Sequence, residues 1–126
     1  MEKEFVPYEL AVKLKALGFD EECFGFYNPT VTEKVIMNND SYGGYGLSHD
    51  HIIVAPTFSQ AFRWFREKYK LLGTPQYFTG GYYCYTINDM KDTKESNRLF
   101  TEFKTFEEVE LDCLDKLIEI VEIKSE

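Results

Sequence analysis

The stretch from Ala55 to Tyr69 constrains the fold of this chain more than any other, because large aromatic residues recur in it with helical spacing. Apolar residues follow one another at intervals of three and four, which predicts one continuous buried stripe of a helix. The members of this stripe are Phe58, Ala61, Phe62, Phe65, Tyr69 and Leu72. Rings of this size bury a large apolar area and nucleate a core. We therefore expect a central helix around which the rest of the chain packs.

Polar and turn residues mark both ends of this predicted helix. Thr57 is a suitable N-cap, because its hydroxyl accepts a hydrogen bond from a backbone N–H of the first turn. Gln60, three residues later, completes a capping-box pattern. At the other end, Gly73-Thr74-Pro75 predicts termination, since glycine tolerates a positive φ and proline cannot continue the helical hydrogen bonds.

A first helix is predicted over Val6–Leu17, near the start of the chain. Pro7 suits the first helical position, where its missing N–H costs nothing. Gly18 followed by the apolar Phe19 predicts a left-handed C-terminal turn of the Schellman type.

A last helix is predicted from Thr105 to Ile123, where Thr105 and Glu108 repeat the capping-box pattern. Its apolar side is wide, which favours contact with a sheet and a helix together, or a homodimer through this helix. The residues of that side are Val109, Cys113, Leu114, Leu117, Ile120 and Val121, with Leu111 and Ile118 at its margins. Residues 102–126 carry a net charge of −6, so most of the charge of the chain lies on or beside this helix.

Short β-prone runs between turn residues predict two hairpins. The first joins Cys23–Tyr27 to Glu33–Met37, and the second joins Gln76–Thr79 to Tyr82–Asn88. Gly80-Gly81 suits a type I′ turn, in which both central residues need a positive φ. The run 82–87 is apolar on both faces, which indicates a central strand, and segments 51–55 and 99–103 predict short further strands.

The order α-β-β-α-β-β-α predicts an α+β fold with three helices on an antiparallel sheet of about four strands. With 126 residues, we expect a single domain over residues 1–126. The three cysteines are far apart and form no CxxC pair, which favours a reducing compartment. We recognise no signal peptide and no apolar run near ~18 residues, so we expect no membrane association and a cytoplasmic location.

Three segments resemble a family of small uncharacterised proteins from phages, prophages and mobile elements of gut bacteria. These segments are the first helix ending in Gly18-Phe19-Asp20, the central helix over 55–69, and the Glu-rich helix start at 105–114. The resemblance covers most of the chain and is most specific in the central helix, whereas residues 38–50 are particular to this sequence. It implies a phage-linked origin inside a bacterial host cell, and it carries no activity and no site residues.

The Gly-rich stretch 38–50 contains two tyrosines, Tyr42 and Tyr45, between glycines. Tyrosine combines a large contact area with a polar tip at low entropic cost, so this composition is typical of a binding surface. An ordinary surface loop explains the same composition equally well. The tyrosines of the second hairpin favour ordinary sheet packing.

The run Ser48-His49-Asp50-His51 contains the residue types of a metal or catalytic site. On a strand, His49 and His51 point to the same side, and Asp40 or Asp50 offers an oxygen ligand. A third ligand in register is missing from the pattern, so a polar loop before a strand is the favoured interpretation and we expect no cofactor. A catalytic triad needs groups that converge from separate segments, which this run does not provide. Cys84 and Cys113 fit small core residues better than nucleophiles.

Arg63, Arg66 and Lys70 form a basic stripe on the central helix, with Trp64 at its flank. A solvated face on which Glu67 pairs with Arg63 is the favoured interpretation of this pattern, and recognition of a phosphate or an acidic partner is the alternative. The formal charge of −8 disfavours nucleic acid, because phosphates are repelled at long range.

Three classes of function remain after these observations. The leading hypothesis is a non-catalytic intracellular protein that binds another protein, with its acidic last helix engaging a basic factor. The second is a nucleic-acid binder that uses the Arg63/Arg66/Lys70 stripe with aromatic stacking. The third is a small metal-dependent enzyme that uses the loop of His49 and His51.

Overall fold

The computed structural model describes residues 4–29, 32–37, 52–91 and 96–124, with only the backbone described at 33, 78, 96–101 and 124. The elements are α1 (Tyr8–Ala16), β1 (Gly25–Asn28), β2 (Thr32–Met37), β3 (Ile53–Ala55), α2 (Phe58–Trp64), a π-helical segment (Phe65–Tyr69), β4 (Leu71–Phe78), β5 (Tyr82–Asp89), β6 (Ser96–Phe103) and α3 (Phe106–Lys124). They belong to two compact units, Met1–Phe58 and Ser59–Glu126. The single domain over residues 1–126 stays a prediction.

The predicted α+β class is confirmed, and so are both hairpins. Within the described residues, the strands form two three-stranded antiparallel sheets, with the orders β2-β1-β3 and β4-β5-β6, rather than one shared sheet. The additional strands β3 and β6 arise from the short segments predicted at 51–55 and 99–103. Each hairpin thereby gains one neighbour, which gives it the third strand that a stable sheet needs.

The first unit is organised around β1, which pairs with β2 on one side and with β3 on the other. Phe26 and Tyr27 on β1 are buried. The backbone N–H of Val6 donates to the carbonyl of Pro56 at 2.8 Å, just beyond β3. The hydroxyl of Tyr27 donates to the carbonyl of Val6, also at 2.8 Å. These two bonds attach the segment before α1 to the sheet.

Helix α1 is shorter than predicted, because Pro7 is its N-cap and Tyr8 its first residue. The predicted C-terminal turn is confirmed. Gly18 has a φ of 101°, and the N–H of Phe19 donates to the carbonyl of Leu14 at 3.0 Å. This is the hydrogen bond of a Schellman motif, and a left-handed glycine allows it without a Cβ clash.

The central helix ends earlier than predicted. Its α-helical part stops at Trp64, and the π-helical segment carries the chain to Tyr69. Lys70 then adopts a left-handed conformation with a φ of 57°, and its N–H donates to the carbonyl of Phe65. The prediction that Gly73-Thr74-Pro75 ends the helix is therefore wrong, and Leu72 belongs to a strand rather than to the helical stripe.

Pairing with β5 explains this difference. Strand β4 pairs with β5 residue by residue, from Leu71 opposite Asp89 to Phe78 opposite Tyr82. This continuous ladder outweighs the local helical periodicity that reaches Leu72. Pro75 is tolerated within β4 because this strand lies at an edge of its sheet, where one row of N–H groups has no ladder partner.

We predict that Lys70→Gly raises the free energy of unfolding by ~0.5–1 kcal/mol, because glycine adopts a positive φ without the clash of a Cβ atom. The matched control is Lys68→Gly, two residues earlier inside the π-helical segment. It is expected to lower stability by ~1 kcal/mol. Urea unfolding followed by circular dichroism measures both variants. An equal loss of stability in both would contradict the left-handed ending at Lys70.

The hairpin between β4 and β5 has a longer turn than predicted. Phe78 pairs with Tyr82, so three residues lie between them, and of the two central glycines Gly81 alone has a positive φ, of 88°. The predicted type I′ turn, which needs two such residues, is wrong. A three-residue loop whose last residue is left-handed is the next most common hairpin connection, and it keeps Tyr77 opposite Tyr83.

Helix α3 packs on the sheet of the second unit, against β4 and β5. The predicted cap is confirmed: the hydroxyl of Thr105 accepts from the N–H of Glu108 at 3.2 Å and donates to its carboxylate at 3.0 Å. Leu117 and Cys113 of the helix lie so close to Gly73 of β4 that they leave little room for a Cβ atom there. The buried residues of the helix are Val109, Cys113, Leu114, Leu117, Ile118 and Val121, whereas Leu111 is exposed and Ile120 half-buried.

Candidate interaction surfaces

Four of the predicted site residues, Tyr42, Tyr45, His49 and His51, lie outside the described residues. The Tyr/Gly binding loop and the metal site therefore stay predictions. Within the ranges that the structure describes, no group of three or more His, Cys, Asp or Glu side chains is placed to hold a metal ion.

The basic stripe of the second unit is exposed at all three predicted positions, Arg63, Arg66 and Lys70. Trp64 differs from its predicted place at the flank of the stripe, because only 5% of it is exposed. Its ring lies 5.3 Å from that of Tyr69, a contact over five residues that the wider turn of a π-helix permits.

The ammonium of Lys68 covers the Trp64 ring, 5.1 Å from its centroid. Such a contact is attractive, because the face of an aromatic ring carries negative potential. The basic stripe thus lacks the exposed tryptophan that base stacking would use. The positive charges themselves stay available to an anionic partner.

The exposed charges of helix α3 are mostly negative, opposite in sign to those of the basic stripe. Its exposed carboxylates belong to Glu107, Glu108, Asp112, Asp115, Glu119 and Glu122. Lys116 forms an ion pair with Glu119 at 3.5 Å, on a solvent-exposed turn where such pairs stabilise little. The apolar side that suggested a second subunit is buried within one chain, and the exposed apolar residues described on α3 are Phe106, Leu111 and Ile123. The homodimer stays a prediction.

The acidic Asp112 also contacts the sheet. The hydroxyl of Tyr85, a residue that is 1% exposed, donates to the carboxylate of Asp112 at 2.8 Å. Burial, and then this hydrogen bond and the negative charge of Asp112, raise the pKa of Tyr85 far above its ordinary value. The phenol therefore stays protonated and acts as a permanent donor between β5 and α3.

Glu110 is a carboxylate whose ionised form the fold destabilises. It is half-buried, on the side of α3 that contains Cys113 and Leu117. Burial, and next the negative charge of Glu107, raise the pKa of Glu110 to about 6. Because the folded state holds this proton more tightly than the unfolded chain does, ionisation costs folding free energy. The contribution of Glu110 to stability is most favourable below its ordinary pKa of 4.5 and is lost as the pH rises through about 6.

We predict that Glu110→Gln raises the free energy of unfolding by ~1 kcal/mol near neutral pH, and has little effect at about pH 4. The comparison is Glu119→Gln, which removes a carboxylate from the ion pair with Lys116. It is expected to lower stability by up to ~0.5 kcal/mol near neutral pH. Urea midpoints at both pH values measure this. A Glu110→Gln gain that is equal at both pH values would contradict the predicted linkage.

Cys84 and Cys113 are both fully buried, as expected for core residues. Burial raises the pKa of both thiols, and that of Cys113 to about 12, with the neighbouring carboxylates of Asp112 and Glu110 as further causes. Since the thiolate is the reactive form, these positions suit packing rather than nucleophilic chemistry.

The structure brings together an aromatic group that sequence reasoning does not identify. We define the aromatic trio as Tyr77 on β4, Tyr83 on β5 and Phe106 at the start of α3. The Tyr77 and Tyr83 rings lie 5.1 Å apart, and those of Tyr83 and Phe106 lie 5.9 Å apart. The cross-strand tyrosine pair follows from the three-residue turn, which differs from the predicted two-residue turn, and the contact with Phe106 depends on how α3 docks.

Comparisons with known proteins add no functional assignment to these surfaces. No protein-family model matches the chain, and no curated protein or solved structure does. None of the helices in the described part of the chain combines the length and the apolar character that crossing a membrane requires.

Proposed function

We propose that this protein catalyses no reaction and acts by binding another protein inside a bacterial host cell, on behalf of a phage or mobile element. The observation that carries the proposal is the division of α3 into a buried apolar side and an exposed acidic side. A helix with this division packs its apolar residues against its own sheet and exposes an acidic side that a basic partner can approach.

The partner's chemistry follows from the charge. The chain has a formal charge of −8, and the acidic side of α3 contributes most of it. Opposite charge speeds association and discriminates against wrong partners, so a basic protein surface is the expected target. The host-cell setting is part of the proposal and rests on the resemblance to phage and mobile-element proteins, which stays a prediction.

The second candidate function is binding of nucleic acid. The observation that favours it is the exposure of Arg63, Arg66 and Lys70 within one short segment. The buried Trp64 and the overall negative charge weigh against it.

Two charge-reversal variants with the same number of changes separate these candidates. The first is Glu119→Lys with Glu122→Lys, near the end of α3, where positive charge is compatible with the helix dipole. The second is Arg63→Glu with Arg66→Glu. Each tagged protein is used for affinity capture from host lysate and for gel-shift assays with DNA and RNA at low salt.

We expect a captured protein that is retained by the Arg63→Glu/Arg66→Glu variant and lost by the Glu119→Lys/Glu122→Lys variant. Its capture should weaken at higher salt, because exposed charges are screened. A gel shift that the Arg63→Glu/Arg66→Glu variant abolishes, without a charge-dependent protein partner, would replace the proposal by the nucleic-acid function.

A further inference from the structure

The aromatic trio is held in place by the hairpin and by α3. Tyr77 and Tyr83 are direct partners in the antiparallel register of β4 and β5. Their ring planes meet at 63°, and the planes of Tyr83 and Phe106 meet at 79°. Edge-to-face contacts of this kind stabilise the arrangement of the rings in the absence of any partner.

Much of this aromatic surface remains in contact with water. Tyr77 is 62% exposed and Phe106 is 43% exposed, although each contacts Tyr83. Single exposed apolar residues are common, whereas Tyr77 and Phe106 are joined through the half-buried Tyr83 into one aromatic patch, a feature typical of interaction sites. Tyrosine and phenylalanine are also residue types that interfaces favour.

Two carboxylates lie in the first turns of α3, close to Phe106 along the helix. Glu107 follows Phe106 directly, and Glu110 lies one helical turn further along the same side of α3. Burial and the charge of Glu107 raise the pKa of Glu110 to about 6, and no positive group of the described residues is among the causes of this shift. A cation at this place would therefore relieve a cost that the free protein carries.

The rings and the carboxylates together determine which kind of chemical group can bind at this surface. An anion would be repelled, and a neutral apolar group would bury the carboxylates without a partner, which is costly. A lysine or arginine side chain can interact with both the rings and the carboxylates. Its alkyl stem covers aromatic surface, and its charged end interacts with the rings and the carboxylates.

We propose that the aromatic trio, together with Glu107 and Glu110, binds a lysine or arginine side chain of a partner protein. This inference rests on the proposed protein-binding function and places its specific contact at the junction of β4, β5 and the start of α3. The remaining acidic side of α3 then steers the basic partner towards this contact.

The test uses the full chain and a synthetic peptide of alternating arginine and glycine as the probe. A peptide with glutamine in place of each arginine is its neutral match. Binding is measured by isothermal calorimetry, and the contact is located by chemical-shift changes of Tyr77, Tyr83 and Phe106. We expect the arginine peptide to bind at least about tenfold more tightly than the glutamine peptide.

The variants are Tyr77→Ala and Phe106→Ala, which truncate exposed rings and should leave the fold intact, and Tyr77→Phe, which keeps the ring. Phe24→Ala is the matched control, since Phe24 is 72% exposed and lies in the first unit, outside the trio. Each truncation within the trio should lower the affinity for the arginine peptide by about threefold to tenfold. The Tyr77→Phe and Phe24→Ala variants should bind this peptide as tightly as the unchanged protein does.

Three outcomes would overturn this inference: equal affinity for both peptides, an arginine peptide that binds elsewhere on α3 without shifting the trio, or no binding of either peptide. The protein-binding function is judged separately by the charge-dependent capture described above. One result would be capture of a partner that depends on the acidic side of α3 and yet is unchanged by Tyr77→Ala and Phe106→Ala. That result would support the protein-binding function and show that the trio does not contribute to it.

Discussion

Replacing Phe65 by alanine is expected to lower the free energy of unfolding by ~3–5 kcal/mol, a large part of the ~5–15 kcal/mol that holds a typical domain together. Phe65 is 0% exposed, and its ring lies 5.1 Å from that of Trp64 and 5.9 Å from that of Tyr69. The substitution removes a buried ring and leaves a cavity among its neighbours. The van der Waals contacts between these neighbours and the ring are lost, and so is the hydrophobic free energy of burying the ring.

Urea unfolding, followed by tryptophan fluorescence and by circular dichroism, measures this loss. Trp64 is the single tryptophan of the chain, so its emission reports on the aromatic cluster directly. The matched control is Phe24→Ala, which makes the same chemical change at a residue that is 72% exposed and should cost no more than ~0.5 kcal/mol. Equal costs for the two variants would contradict the central place of Phe65 in the core.

The second large effect is expected at the contact between α3 and β4. Leu117→Ala should cost ~2–5 kcal/mol, because Leu117 is fully buried. Leu111→Ala on the exposed side of the same helix is the matched control, and it should cost ~1 kcal/mol or less because Leu111 is 36% exposed. Denaturant midpoints for both variants give the difference.

Gly73 makes this contact testable by a double-mutant cycle. A Cβ atom at position 73 would lie 2.9 Å from Cδ1 of Leu117 and 3.0 Å from Sγ of Cys113. Gly73→Ala alone should therefore cost ~1–3 kcal/mol through overpacking. Combined with Leu117→Ala, it should cost ~0.5–3 kcal/mol less, since truncation of the leucine frees part of the space.

The control arm of the cycle combines Gly73→Ala with Leu111→Ala. These effects should add to within ~0.5 kcal/mol, because Leu111 lies on the exposed side of the helix. Additivity in both arms would mean that Gly73 and Leu117 do not touch, and would contradict the docking of α3 on β4.

The two surfaces of the second unit differ in how far sequence reasoning describes them. The exposure of Arg63 and Arg66 follows from helical spacing, and it holds although the helix changes to π geometry after Trp64, whereas Lys70 is exposed at the left-handed residue that ends the helix. The burial of Trp64 differs from its predicted place at the flank of the stripe, and in the structure its ring contacts Phe65, Tyr69 and Lys68. The contact between Tyr83 and Phe106 in the aromatic trio does not follow from the sequence, because the two residues are more than twenty positions apart in the chain.

By itself, the sequence determined the features whose physical cause is local. The left-handed turn at Gly18, the Thr105 cap, the two hairpins and the buried side of α3 depend on residues a few positions apart, so their side chains and φ preferences predict them. The tertiary structure alone decided that β4 begins at Leu71, that the strands form two sheets, and that Tyr77, Tyr83 and Phe106 meet. These features draw their free energy from pairing and burial between distant segments, which outweigh the weaker local preferences of each segment.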